Sequence, residues 1–197
     1  MTIGQRFARF VTDVVVRAPF LWRLFRRRMR RNFDQLAPEW DETRVSRDRL
    51  VAMIAALDAI DVPIRALDVG TGTGAVARLI SERWPSAEVT GVDVSPGMID
   101  EARRLGQERY DVGDASALPY DDAAFDLVTL NNMIPFFDEL ARVTAVGGYL
   151  AIAYSMGPNT PIWVPLERVG DELQRRGFVH IADFAAGTGV ALLARRS

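Results

Sequence analysis

The chain has 197 residues and a formal net charge of −2, enough for one core-bearing domain with an appendage. It holds no cysteine, a single histidine (His180) and no lysine, all 24 basic residues being arginine, which excludes disulfides, thiolate or multi-histidine metal sites and Schiff-base chemistry. The charge is uneven: nine arginines stand against Asp13 in residues 1–33, so that segment carries +8 and the remainder −10.

Residues 1–61 read as helices. Phe7, Phe10, Val11, Val14 and Val15 recur at helical spacing, Pro19 breaks the pattern, and Phe20, Leu21, Leu24, Phe25 and Met29 resume it. Ser46 is placed to cap a third helix carrying Leu50, Val51, Ile54 and Leu57. No apolar run reaches the length of a membrane span, and Asp13 and Arg17 interrupt the apolar stretch near the start, so a cytoplasmic location is the expectation.

Residues 62–197 alternate strand and helix. Strands are predicted at 65–69, 87–94, 109–112, 125–130, 149–155, 178–184 and 189–195. Helices are predicted at 75–84, 95–105 (Ser95 as cap, Pro96 in the first turn), 135–143 and 165–177. The alternation implies an α/β, doubly wound, mostly parallel seven-stranded sheet of Rossmann-like type with an antiparallel last strand. Its ligands would bind at the carboxyl ends of the strands, near the reversal of strand order.

"ALDVGTGTG" (66–74) stands at such an end. Gly70, Gly72 and Gly74 let the backbone approach a ligand, and the helix that follows adds unpaired N–H groups and a positive dipole end. "GTGAVA" (72–77) also fits a dinucleotide fingerprint, so an NAD(P)-dependent oxidoreductase is an alternative, and Asp93 suits a ribose in either case. Asp68 separates the two readings. A carboxylate two residues before the first glycine repels a pyrophosphate and attracts an ammonium or sulfonium. Asp114, after the third strand, is placed to accept a hydrogen bond from an adenine amino group.

The chain resembles the class I S-adenosylmethionine-dependent methyltransferases, especially the small-molecule, quinone-biosynthesis-like type. The resemblance rests on "LDVGTGTG", "VTGVDVSPGMIDEAR", "GDASALPYDDAAFDLV", and Glu139, Arg142, Val143, Gly147 and Gly148, four motifs in order. It implies S-adenosylmethionine as cofactor and methyl transfer to a small or lipophilic acceptor. By the resemblance, Asp68 and Gly70 face the methionine part of the cofactor, and Thr71, Gly72 and Gly74 shape the loop. Asp93 holds the ribose, Val94 and Met98 border the adenine, Asp114 meets its amino group with Ala115 beside it, and Asn131 lines the boundary with the acceptor. "NFDQLAPEWDETR" (32–44) is similar to the segment preceding the core in quinone-type members; there Trp40 would cap the cofactor and Arg44 meet its carboxylate. Thr144 and Val146 depart from the leucine and proline usual before Gly147, and the stretch between the fourth strand and Gly147 is short. That shortening keeps a non-catalytic, cofactor-binding or regulatory protein as a further alternative.

The acceptor side is less defined. "SMGPNTPIWVP" (155–165) is long for a strand–helix link and suits a functional loop. "NNMIPFF" (131–137) matches the N/D-P-P-Y/F motif of amino-group methyltransferases poorly, and no catalytic base is assigned. The mixture of bulky apolar residues and arginines in "FLWRLFRRRMRR" (20–31) suits a lid helix or a peripheral contact with anionic lipid. The acidic remainder argues against nucleic acid.

Overall fold

A computed structural model describes residues 2–197. The N-terminal segment forms α1 (Ile3–Arg17), α2 (Trp22–Leu36), α3 (Trp40–Arg44) and α4 (Arg47–Leu57). Thr2 and Gln5 close a capping box on α1, and Pro19 opens a short 3₁₀ turn before α2, so the break falls where a proline must end a helix. Ser46 stands at the cap position of α4, but its side chain makes no capping hydrogen bond.

The remainder runs β1 (Arg65–Val69), α5 (Ala75–Arg83), β2 (Glu88–Asp93), α6 (Pro96–Leu105), β3 (Arg109–Val112), β4 (Phe125–Asn131), α7 (Phe137–Val143), β5 (Thr144–Tyr154), α8 (Leu166–Gln174), β6 (Phe178–Ala186) and β7 (Gly189–Arg196). The seven strands form one sheet in the order β3-β2-β1-β4-β5-β7-β6. β7 runs antiparallel to both its neighbours, and the β1–β2, β1–β4, β2–β3 and β4–β5 pairs are parallel. Strand order therefore reverses between β1 and β4, which puts the ligand crevice above that pair.

Alternation along the strands divides the core in two. Leu67, Val69, Val128, Leu130, Leu150, Ile152 and Tyr154 face α7, α8 and the buried side of α1 and α2. Ala66, Val89, Leu127, Ala151, Ala153 and Leu193 face α4, α5 and α6. α4 therefore packs on the sheet through Ala52, Met53, Ala56 and Leu57, although it lies on the N-terminal side of a division drawn at residue 61.

β5 begins five residues before the expected start. Thr144 pairs with Phe125 and Tyr149 with Leu127, so Ala145–Gly148 bulges opposite Asp126. Gly147 has φ +79°, and a Cβ on Gly148 would lie 2.9 Å from the carbonyl oxygens of Asp126 and Ala145. The glycine pair thus serves the bulge. It lets α7 pass into the strand with no intervening loop, and it accommodates Val146 in place of a turn proline.

Candidate cofactor site

The site is assembled on the carboxyl ends of β1 to β4. Gly70, Gly72 and Gly74 all have positive φ (+69°, +56°, +86°), a conformation that disfavours any side chain. The N–H groups of Gly70 and Thr71 donate to the Val92 carbonyl at 2.8 and 3.0 Å, folding the loop back over the end of β2. Trp40 lies over this loop, its indole nitrogen 3.8 Å from the position a Cβ on Gly72 would take. The ring is held edge-on by Phe33, with centroids 5.8 Å apart. Arg44 stacks on the face of Trp40 at 5.0 Å.

Asp68 is buried beneath the loop and accepts a hydrogen bond from Thr129 Oγ1 at 2.8 Å. The two residues are register partners on the β1–β4 pair that flanks the switch point. Burial pushes the Asp68 carboxyl up to about 6, the Thr129 hydroxyl pulls against it, and the charge of Asp93 adds to it. The Thr71 hydroxyl also faces Asp68, but forms no hydrogen bond.

Asp93 terminates β2. Its Oδ2 accepts from the Gly72 N–H at 3.0 Å and its Oδ1 from the Ser95 N–H at 2.9 Å. Burial likewise raises this carboxyl to about 6, against the pull of those two N–H groups, and nearby Asp34 raises it further. Asp34, on α2, accepts from Ser95 Oγ at 2.6 Å and the Gly97 N–H at 3.2 Å, tying α2 to the start of α6. Val94 is half-buried here, and Met98 is buried in α6 with its N–H capped by Ser95.

Asp114 follows β3. Its Oδ1 accepts from the Ser116 N–H and Oγ and, at 2.9 Å, from Trp22 Nε1, while its Oδ2 meets Arg26 at 3.1 Å. Burial pushes this carboxyl up, but the donors from Ser116, Arg26 and Trp22 outweigh it and hold it below the usual carboxylate range. Ala115 beside it is buried. Asn131 ends β4, and its buried Oδ1 has no partner.

The predicted residues thus converge on one edge of the sheet. The structure adds Thr129, Trp22, Arg26 and Met133, whose sulfur lies 2.7 Å from where a Cβ on Gly70 would be. Trp22 and Arg26 share a helix face with Met29, a pattern visible in the sequence, but nothing there showed that this face meets Asp114. Asn132 has φ +56° and exchanges hydrogen bonds with Ser155 at 3.0 and 2.8 Å, joining the ends of β4 and β5. His180 lies away from the site, exposed on β6 beside Asp183.

Residues 67–152 match the model of a family described as methyltransferase domain. That stretch, less than half of the chain, is similar to the methyltransferase domain of this family. The chain is 37% identical over 148 residues to a malonyl-[acyl-carrier protein] O-methyltransferase of Halorhodospira halophila, a match covering 68% of this chain and 50% of that protein. It is 38% identical over 141 residues to a demethylmenaquinone methyltransferase of Thermus thermophilus, covering 61% and 62%. The chain therefore spans between half and two thirds of the length of these relatives. Among solved structures, a SAM-dependent methyltransferase from Aquifex aeolicus superposes with a TM-score of 0.65 at 21% identity, over 84% of this chain and 97% of that one, which establishes the shared fold.

The family's cofactor, S-adenosylmethionine, suits this donor and acceptor set. The buried side-chain oxygens of Thr71, Thr73 and Asn131, without partners in the protein, lie in the loop and at the end of β4 where a polar ligand would satisfy them. Access is restricted at two points by the chain itself: Met133 at Gly70, and Trp22 with Arg26 at Asp114.

Proposed function

We propose that this protein transfers a methyl group from S-adenosylmethionine to a small or lipophilic acceptor. The observation that carries this reading is the set of three carboxylates, Asp68, Asp93 and Asp114, on the ends of three consecutive sheet positions around one glycine loop. When bound, the cofactor supplies a methyl already activated on a sulfonium. The chain's task is then to hold, orient and exclude water.

In this reading Asp68, ionised, faces the cationic amino acid part, with Gly70 admitting it closely. Asp93 accepts from ribose hydroxyls, and Thr71, Gly72 and Gly74 keep the loop wrapped over β2. Asp114 receives the adenine amino group with Ala115 beside it, Val94 and Met98 border its ring, and Trp40 closes over the loop. Asn131, with its open Oδ1, stands toward the acceptor. The acceptor would enter between Asn131, Met133 and the 155–165 loop, whose Trp163 packs on Tyr154 with ring centroids 4.9 Å apart. The names of the relatives support a small or carrier-borne acceptor and give the nicotinamide alternative no support.

Residues 1–44 act in this reading as a cover, and their basic outer face as a peripheral contact with anionic lipid that delivers a lipophilic acceptor at the inner membrane surface. Among the described residues no helix is long and apolar enough to cross a membrane. Calorimetric titration with S-adenosylmethionine tests the cofactor. A panel of quinols, phenols, amines and carboxylic acids with methyl-labelled cofactor tests the activity. Binding without label transfer to any acceptor class would favour a regulatory cofactor-binding protein instead.

A further inference from the structure

The two faces of α2 do different things. Trp22, Arg26, Met29 and Phe33 recur every three or four residues and point inward: Trp22 and Met29 are buried, and Trp22 packs edge-on against Phe136 with centroids 5.8 Å apart. Arg23, Leu24, Arg27 and Arg31 share the opposite face. Leu24 is 67% exposed and Phe20, just before the helix, 65%. Arg23, Arg27 and Arg31 pair with no carboxylate among the described residues.

The inward face engages Asp114. That carboxylate is the one assigned to the adenine amino group, and its Oδ1 and Oδ2 already receive the Trp22 N–H and the Arg26 guanidinium. A side-chain N–H on α2 and an exocyclic N–H of the ligand would use the same acceptor. The outward face offers two large apolar side chains to water beside three uncompensated arginines, the composition that an anionic lipid interface binds. A surface that draws α2 away from the core would offer Arg26 another anion and Trp22 an interfacial environment suited to an indole with one polar edge.

We propose that α2 is a latch on the cofactor site, closed by Trp22 and Arg26 on Asp114 and released when an anionic lipid surface takes up the helix. The proposal rests on the assignment of Asp114 to the cofactor. By linkage, the lipid surface and S-adenosylmethionine each strengthen the binding of the other.

The test is calorimetric titration of the full chain with S-adenosylmethionine, alone and with vesicles of phosphatidylcholine or of phosphatidylcholine mixed with phosphatidylglycerol. The mixed vesicles should tighten cofactor binding by about tenfold and the neutral ones should leave it unchanged. Trp22→Phe, which keeps an aromatic ring and removes the N–H, should bind cofactor severalfold more tightly without vesicles and respond less to them. Arg26→Gln should do the same, and carries the test if the first variant does not fold. Phe20→Asp with Leu24→Asp should abolish the vesicle effect at unchanged vesicle-free affinity. Cofactor binding that is equal in all these arms overturns the latch and leaves the cofactor assignment standing. Absence of cofactor binding in every arm, Trp22→Phe included, overturns the cofactor assignment itself.

Discussion

The sheet domain and the α1–α2 hairpin are held by different means. In the sheet, Leu67, Leu127, Val128, Leu130, Leu150 and Ile152 are fully buried, and the backbone ladder fixes their register. The hairpin buries Val11, Val15, Val16, Trp22 and Met29, and its helices touch each other through Phe25 set edge-on to Phe7 and Phe10 at 6.4 and 6.3 Å. Beyond the apolar core that it shares with the sheet, it is fastened to the rest by polar side chains at separate points: Arg9 on the 157–161 segment, Trp22 and Arg26 on Asp114, and Asp34 on Ser95. The difference teaches that the sheet owes its geometry to apolar packing and a backbone ladder together, whereas the hairpin adds to its share of the same apolar core a set of exchangeable hydrogen bonds, which a ligand or surface can replace singly.

The largest effect tests the packed side. Leu67→Ala should lower global stability by about 3 kcal/mol in denaturant unfolding. Met29→Ala should move the global midpoint less and instead speed amide exchange in α1 and α2; equal global losses would mean that the two regions unfold as one. Next, Asp93→Ala should weaken S-adenosylmethionine by more than about tenfold while thermal unfolding stays cooperative. Unchanged affinity would contradict the ribose assignment.

The third prediction concerns pH. Asp68 and Asp93 are raised from 3.8 to about 6 by burial. Each therefore stabilises the ligand-free protein fully below 3.8, and that contribution is lost as pH rises through about 6. A cationic ligand that needs Asp68 ionised binds in the opposite sense. Its affinity should fall roughly tenfold from pH 7 to pH 5, and its effect on the melting temperature should shrink likewise. The smallest effect is local. Arg9→Ala should cost about 1 kcal/mol and show as faster proteolysis of the 155–165 loop, with the sheet's exchange protection unaltered.

Most of the sheet was legible because buried parallel strands announce themselves as short apolar runs between helix caps and glycines. Ser95 and Pro96 marked the start of α6, whereas α8 ends at Gln174, three residues before Gly177, which closes the turn into β6. The strand now called β5 was misjudged at its start because Ala145–Gly148 is bulge rather than loop, a distinction that depends on Asp126 across the sheet. In the candidate site, Asp68, Asp93 and Asp114 were legible from position alone. Thr129 was not, since its bond to Asp68 depends on the β1–β4 register, which links residues far apart in sequence. The Trp22 and Arg26 contacts were hidden for the same reason: periodicity gives the face of a helix and is silent about what that face meets.

Arg9 donates to the carbonyls of Pro158, Thr160 and Pro161 at 2.7, 2.5 and 3.2 Å, gripping the acceptor-side loop from α1, while α2 of the same hairpin grips Asp114. One lever thus rests on both doorways. Under the proposed function this has a kinetic consequence: admission of cofactor and of acceptor are not independent events. Initial-rate and product-inhibition patterns should then be those of a compulsory sequence, cofactor first and its demethylated product last, rather than of two substrates arriving in either order.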